Sequence, residues 1–272
     1  MSSQVSLSIR DPRFFAPRIP ITKCARLLVA LLAISANLAP AQTGSSQRVD
    51  SQSPTQNLVS INQLRTPGKA LKATENARKD FVEGRFDAAL HETKRALAIY
   101  PRCAMALNIQ GAVNLSRANY ADAGRDFQHA IDADPALGQA YLGLGMVYTS
   151  QGRFKEALAP LDRAAAFLPG SWLVHFESAL AHLGIEEPEA AITEITYAER
   201  FTGSAPRQRA EASYLRAVAR SQMKDYSGAK RGLKEAVALD PNGFYAALAA
   251  KKLQLILIDD GQQIADSSRT PF

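Results

Sequence analysis

Four histidines and two cysteines are the soft ligands this 272-residue chain offers, so the search for chemistry starts with them. His175 and His182 lie seven apart and share one face of a helix, the one spacing that suggests a metal. Zinc takes three or four ligands, and no cysteine or carboxylate pair nearby completes such a set. The two imidazoles are therefore expected to pack, and neither metal nor cofactor is expected. Cys24 lies in the N-terminal segment, and without that segment Cys103 has no partner for an internal disulfide. A phosphate-cradling G-x-x-x-x-G-K-[ST], an H-E-x-x-H and a G-x-S-x-G are all missing. The acidic groups Glu186-Glu187-Glu189 and Asp132/Asp134 fall where helices should begin or end, and there carboxylates are solvated or complement the helix dipole. The residues point away from an enzyme.

Net charge narrows the choice further. The formal +6 resides mostly in the first 41 residues, where Arg10, Arg13, Arg18, Lys23 and Arg26 face only Asp11. The remainder is close to neutral and has no drive toward a polyphosphate, which argues against nucleic acid. Within 1–41, cations precede the apolar run Leu27 to Ile34, and small residues follow as Ala39-Pro40-Ala41. That order reads as a signal peptide cleaved after Ala41. The apolar run is far short of the roughly 20 residues that span a bilayer as a helix, so no stable membrane span is expected once the leader is gone.

The elements that must carry any function begin after a spacer. Residues 42–69 open on Gln, Ser, Thr and Gly with little to bury, and contain one alternating stretch, Leu58 to Leu64, expected to be extended. From residue 70 the chain repeats. Ala89, Ala123, Ala157 and Ala191 are spaced by 34, and Ala96, Ala130, Ala164 and Ala198 follow each by seven. Pro101, Pro135 and Pro169 share the period, as do Phe86, Tyr120, Phe154 and Pro188. Tyr226, Ala229, Ala236 and Pro241 mark a fifth copy after an insertion near Pro206 to Arg209. Such a period means stacked helix pairs: small residues where two helices meet, and proline where the second helix stops. Gly111 and Gly145 are expected to face Ala123 and Ala157.

The third copy carries Tyr141, Leu144-Gly145, Tyr148, Gly152, Ala157, Leu161, Ala164 and Pro169, and through these the chain resembles the tetratricopeptide repeat family, of the exported bacterial type. The resemblance implies an all-α, right-handed superhelical solenoid of five helix-turn-helix repeats, at 70–103, 104–137, 138–171, 172–205 and 210–243. A helix over 244–260 should cap the last copy with Phe244, Leu248, Leu255 and Ile258 while Lys251, Lys252 and Gln254 meet water; 261–272 should be a disordered tail. The first copy departs from the pattern with Asn76-Ala77 in place of Leu-Gly, and the fourth has His175 and His182 where large aromatics are usual.

The resemblance further implies that the first helix of each copy lines a concave groove for a partner peptide or helix. The groove residues would include Phe81, Met105, Asn108, Leu142, Met146, Leu173, Phe176, Leu180, Leu183 and Tyr214. Leu173, Phe176, Leu180 and Leu183 share one side of a helix and would form either an apolar wall of this groove or ordinary core. Thr74, Ile109 and Gln139 stand where some relatives carry a carboxylate clamp, so that clamp is missing. The expected function is an exported, periplasmic interaction scaffold with a protein or peptide partner. The alternative is an accessory subunit of an envelope enzyme or of a secretion, pilus or outer-membrane assembly machine.

Overall fold

The computed structural model describes residues 61–202 and 205–254. The expected leader 1–41, the spacer up to residue 60, the cap beyond residue 254 and the tail 261–272 lie outside the described residues. Those described are helical, with no strand among them. A short α1 (Ile61–Arg65) precedes five pairs: α2 (Gly68–Val82) with α3 (Phe86–Ile99), α4 (Ala104–Ser116) with α5 (Tyr120–Ala133), α6 (Gly138–Ser150) with α7 (Phe154–Phe167), α8 (Trp172–Gly184) with α9 (Pro188–Thr202), and α10 (Pro206–Gln222) with α11 (Tyr226–Leu239). A further helical stretch covers 244–254. The chain divides between Pro169 and Gly170 into two compact units, so three pairs belong to one unit and two pairs with the last stretch to the other.

The period-34 alanines explain the pairing. Ala89, Ala96, Ala123, Ala130, Ala157, Ala164, Ala191, Ala198, Ala229 and Ala236 are all buried, because each lies on the second helix where its partner approaches. The glycines of the first helices serve the same approach, with a correction to the expected contact. A Cβ on Gly111 would meet the ring of Phe127 at 3.0 Å, and one on Gly145 would meet Leu161. The glycine thus makes room for the large residue one turn beyond the alanine rather than for the alanine itself. Between the helices of each pair one residue takes a left-handed conformation, at Gly84, Ala118, Gly152, Glu186 and Lys224. Glycine fills only two of these five turns, so the turn geometry is imposed by pairing and tolerated by ordinary residues.

The three-pair unit has its own N-terminal finish. Where the second and third copies bury Ala106, Val113, Ala140 and Val147 against a preceding neighbour, the first copy exposes Lys72 and Lys79. A charged face at the register of a stacking interface stops the stack, which is how terminal repeats remain soluble. Ahead of it, residues 61–65 are helical, not extended as their alternation suggested. The reason is long-range: Asn62 Nδ2 donates to the carbonyls of Arg102 (2.8 Å) and Ala133 (3.2 Å), and its Oδ1 accepts from Ala104 N (3.3 Å). Ala104 opens α4, so Asn62 supplies from 42 residues away the cap that Cys103 does not.

In the second unit the closing stretch 244–254 differs from the sequence expectation in its buried face. Tyr245, Ala246, Ala249 and Lys252 turn inward, while Phe244 and Leu248 are only half-buried. Burial, with Lys251 adjacent, pushes the Lys252 ammonium down to about 8.

Candidate partner-binding surface

First helices touch not only their own partners but also one another, α2 against α4 and α4 against α6 in the three-pair unit, and α8 against α10 in the other. They form the inner layer, and their side chains at equal register stand side by side. In the three-pair unit one register stays accessible: Leu71 is 40% exposed, and Met105 and Gln139, each 34 residues on, are half-buried. Met105 rests on the cluster of Ala104, Ala130, Ile131, Leu137 and Ala140.

One turn deeper the expected groove residues are enclosed. Phe81, Leu142 and Met146 are fully buried, and Asn108 is buried with Oδ1 lacking a hydrogen-bond partner among the described residues. Thr74, at the same register as Asn108, donates to the Ala70 carbonyl and meets Cys103 Sγ. Of the two cases left open for the apolar wall, the buried one describes this structure. Leu173, Phe176, Leu180, Leu183 and Tyr214 all lie in the interior of the second unit. The ring of Tyr245 explains much of this, its centroid 5.8 Å from that of Phe176 and 5.2 Å from that of Tyr214, with Trp172 5.4 Å from Phe176. Burial raises the Tyr214 phenol well above its ordinary range, as an enclosed hydroxyl requires.

The two histidines of α8 are held in separate pairs. His175 Nδ1 pairs with Glu194 Oε2 at 2.8 Å, and His182 Nδ1 with Glu187 Oε2 at 2.8 Å, so each imidazole is committed to its own carboxylate. Among the described residues no group of three or more metal-ligating side chains converges. Asp126 is buried and accepts from Gln110 (3.0 Å) and Asn114 (2.7 Å); desolvation outweighs these bonds and raises its carboxyl above the usual range. Such a group ties helix α5 to α4.

Sequence reasoning missed a surface on the outer helices. At one register, Tyr141 stacks on Phe167 at 5.9 Å with Arg163 over both rings. One period later, in the other unit, His175 stacks on Tyr197 at 5.6 Å and on Phe201 at 6.0 Å. The 34-residue spacing of Tyr141 and His175, and of Phe167 and Phe201, was the signal that could have found it.

The tetratricopeptide repeat model matches residues 74–138 and 115–171, which are the first three pairs. No curated protein matches the chain. Among solved structures, the chain is similar to the 41-to-end fragment of MamA from Desulfovibrio magneticus RS-1, at 18% identity and a TM-score of 0.56 over 65% of this chain and 97% of that one. A tetratricopeptide protein of Thermus thermophilus aligns at 19% identity and 0.54, over 69% and 99%. YrrB, described as a tetratricopeptide protein with an unusual peptide-binding site, aligns at 21% and 0.54, over 67% and 92%. At these identities the likeness establishes the fold, an all-α solenoid of helix pairs, which agrees with the architecture expected from the period.

Proposed function

We propose that this chain, which belongs to the tetratricopeptide repeat family, is a scaffold that holds an extended peptide or partner segment against the inner layer of its three-pair unit. One observation carries the reading: Leu71, Met105 and Gln139, spaced by 34, stand at one register of that layer and stay accessible, Leu71 at 40% exposure. Leu71 and Met105 supply adaptable apolar contact and Gln139 a polar one. Binding, not catalysis, fits an accessible register, Leu71, Met105 and Gln139, that carries no titratable group. The cationic and apolar order of residues 1–41 supports export, and with it a periplasmic place of work. The alternative role, as an accessory subunit of an envelope enzyme or assembly machine, would use the same surface and differ only in what is bound.

A photoreactive amino acid at Gln139 tests this in the native envelope, with the same probe at exposed Lys155 on α7 as the control. A discrete adduct from Gln139, weakened at least several-fold by Met105→Ala and lacking at Lys155, is the expected result. Adducts of equal yield at both positions would remove the inner layer as the binding surface.

A further inference from the structure

In the second and third copies, three registers of the first helix are buried against the preceding pair. Cys103 and Ala106 lie with Ala73 and Ala96, Leu137 and Ala140 with Ala104 and Ala130, and Val113 and Val147 are buried further along the same helices. In the first copy these registers hold Lys69, Lys72 and Lys79, all exposed. Their spacings of three and seven align them on one face of α2, a stripe about 15 Å long.

The charge of this stripe is not neutralised from within. The carboxylates of the first pair are Glu75, Asp80, Glu83, Asp87 and Glu92, and an arginine holds each one. Arg78 takes Glu75, Arg85 takes Asp80 and Glu83, Arg117 takes Asp87 and Arg95 takes Glu92. Among the described residues the three lysines have no such partner. A terminal face needs polar groups to end the stack, and mixed signs would serve that purpose. Three free cations in line do more, for they set a positive field over a surface whose counterparts receive helices.

We propose that this face of α2 docks a helical, Asp/Glu-rich segment of a partner polypeptide, lying where a preceding pair lies in the other copies. Carboxylates three and seven residues apart on that helix meet Lys69, Lys72 and Lys79. A membrane surface fits less well, because the exposed apolar side chains of α2, Leu71 and Val82, stand about a quarter turn away from the stripe. The chain's own spacer does not match, since residues 42–60 carry one cation, Arg48, and one anion, Asp50. The proposal goes beyond the scaffold reading and uses another side of α2 than Leu71, so the two fail separately.

The test is fluorescence anisotropy of the full chain with labelled helical peptides of about four turns. One carries glutamates at the spacing of the stripe, one the same glutamates dispersed around the helix, and one lysines in their place; phosphatidylglycerol vesicles are the fourth probe. The striped acidic peptide should bind most tightly, with an affinity that falls as salt is raised. Lys72→Glu combined with Lys79→Glu should weaken it about tenfold, while Lys155→Glu, at an exposed site on α7, leaves it unchanged. Should that double variant lose its helical signal, Lys72→Gln combined with Lys79→Gln takes its place and should weaken binding several-fold. No binding of the striped peptide, equal affinity for the dispersed one, equal weakening by Lys155→Glu, or vesicles bound in preference to the peptide would each overturn the proposal. Met105→Ala, which probes the inner layer, leaves the acidic peptide bound.

Discussion

A Cβ placed on Gly145 would stand 2.6 Å from Cδ2 and 2.7 Å from Cγ of Leu161, a fully buried side chain with nowhere to retreat. The same approach at Gly111 leaves 3.0 Å to the ring of Phe127, so the two equivalent glycines differ in tolerance. Replacing either with alanine recovers up to about 1 kcal/mol of helix propensity. Overpacking costs about 1–3 kcal/mol where the neighbour cannot move.

The balance therefore has opposite outcomes at the two sites. Gly145→Ala should destabilise by about 1 kcal/mol and Gly145→Leu by more, while Gly111→Ala should be close to neutral. Urea denaturation of the three variants decides it. Equal midpoints for Gly145→Leu and the parent would contradict the helix contact that places Leu161.

Asn62 is the clearest case of a stabilising contact beyond the repeats. Its side chain makes three hydrogen bonds, to the carbonyls of Arg102 and Ala133 and from the amide of Ala104, all across 40 residues or more. Asn62→Ala should cost on the order of 1–2 kcal/mol, as loss of a helix cap does. Amide exchange at Ala104 should accelerate selectively, with the third pair unchanged. Uniform protection in the variant would show that α1 is not pinned there.

What was legible in the sequence follows from what a period can encode. Alanine at two fixed registers and proline after each second helix are local requirements of every pair, so they recur and reveal the fold. The contact made by Gly145 was placed one turn short, because a period gives register and not the reach of Leu161. The enclosure of Phe176 was beyond the pattern: it depends on Tyr245, 69 residues on, which belongs to no copy. Alternation over the seven residues around Asn62 suggests an extended stretch, yet it carries no information about partners 40 and 71 residues away. The outward rings of α9 were hidden for another reason, since exposed aromatics obey no packing rule.

Asp126 gives the molecule a pH signature of definite sign. Desolvation by burial raises its carboxyl above 3.8 despite the bonds from Gln110 and Asn114, with Asp122 adding to the rise and His129 opposing it. The folded state therefore holds this proton more tightly than the unfolded chain does. Its contribution is most favourable in acid, below the unfolded value, and is lost as pH rises through the folded one. The exposed pairs act the other way, for Glu75, hydrogen-bonded by Arg78, is lowered and weakens the fold as pH falls. Stability of the parent relative to Asp126→Asn should thus improve from pH 7 toward pH 4, as read from urea midpoints at each pH. A difference that stays constant with pH, or one that moves toward the variant in acid, would mean that Asp126 titrates as an exposed carboxylate.

Phe176 joins the sharpest mutational test to the best spectroscopic reporter. Its ring lies edge-on to Trp172 at 5.4 Å and to Tyr245 at 5.8 Å, and Trp172 is the single tryptophan of the chain. Removing a buried aromatic ring costs about 3–5 kcal/mol, and Phe176→Asp adds the desolvation of a carboxylate with no cation built to receive it. The second unit should then open, shifting Trp172 emission to the red, while the amides of α2 to α7 keep their protection because they belong to the other unit. Phe176→Leu, which keeps an apolar side chain, should retain the blue emission with a lower melting temperature. A Phe176→Asp protein with native emission and an unchanged melt would mean that the ring is not part of the interior, and would return Leu173, Phe176, Leu180 and Leu183 to the role of an accessible binding wall.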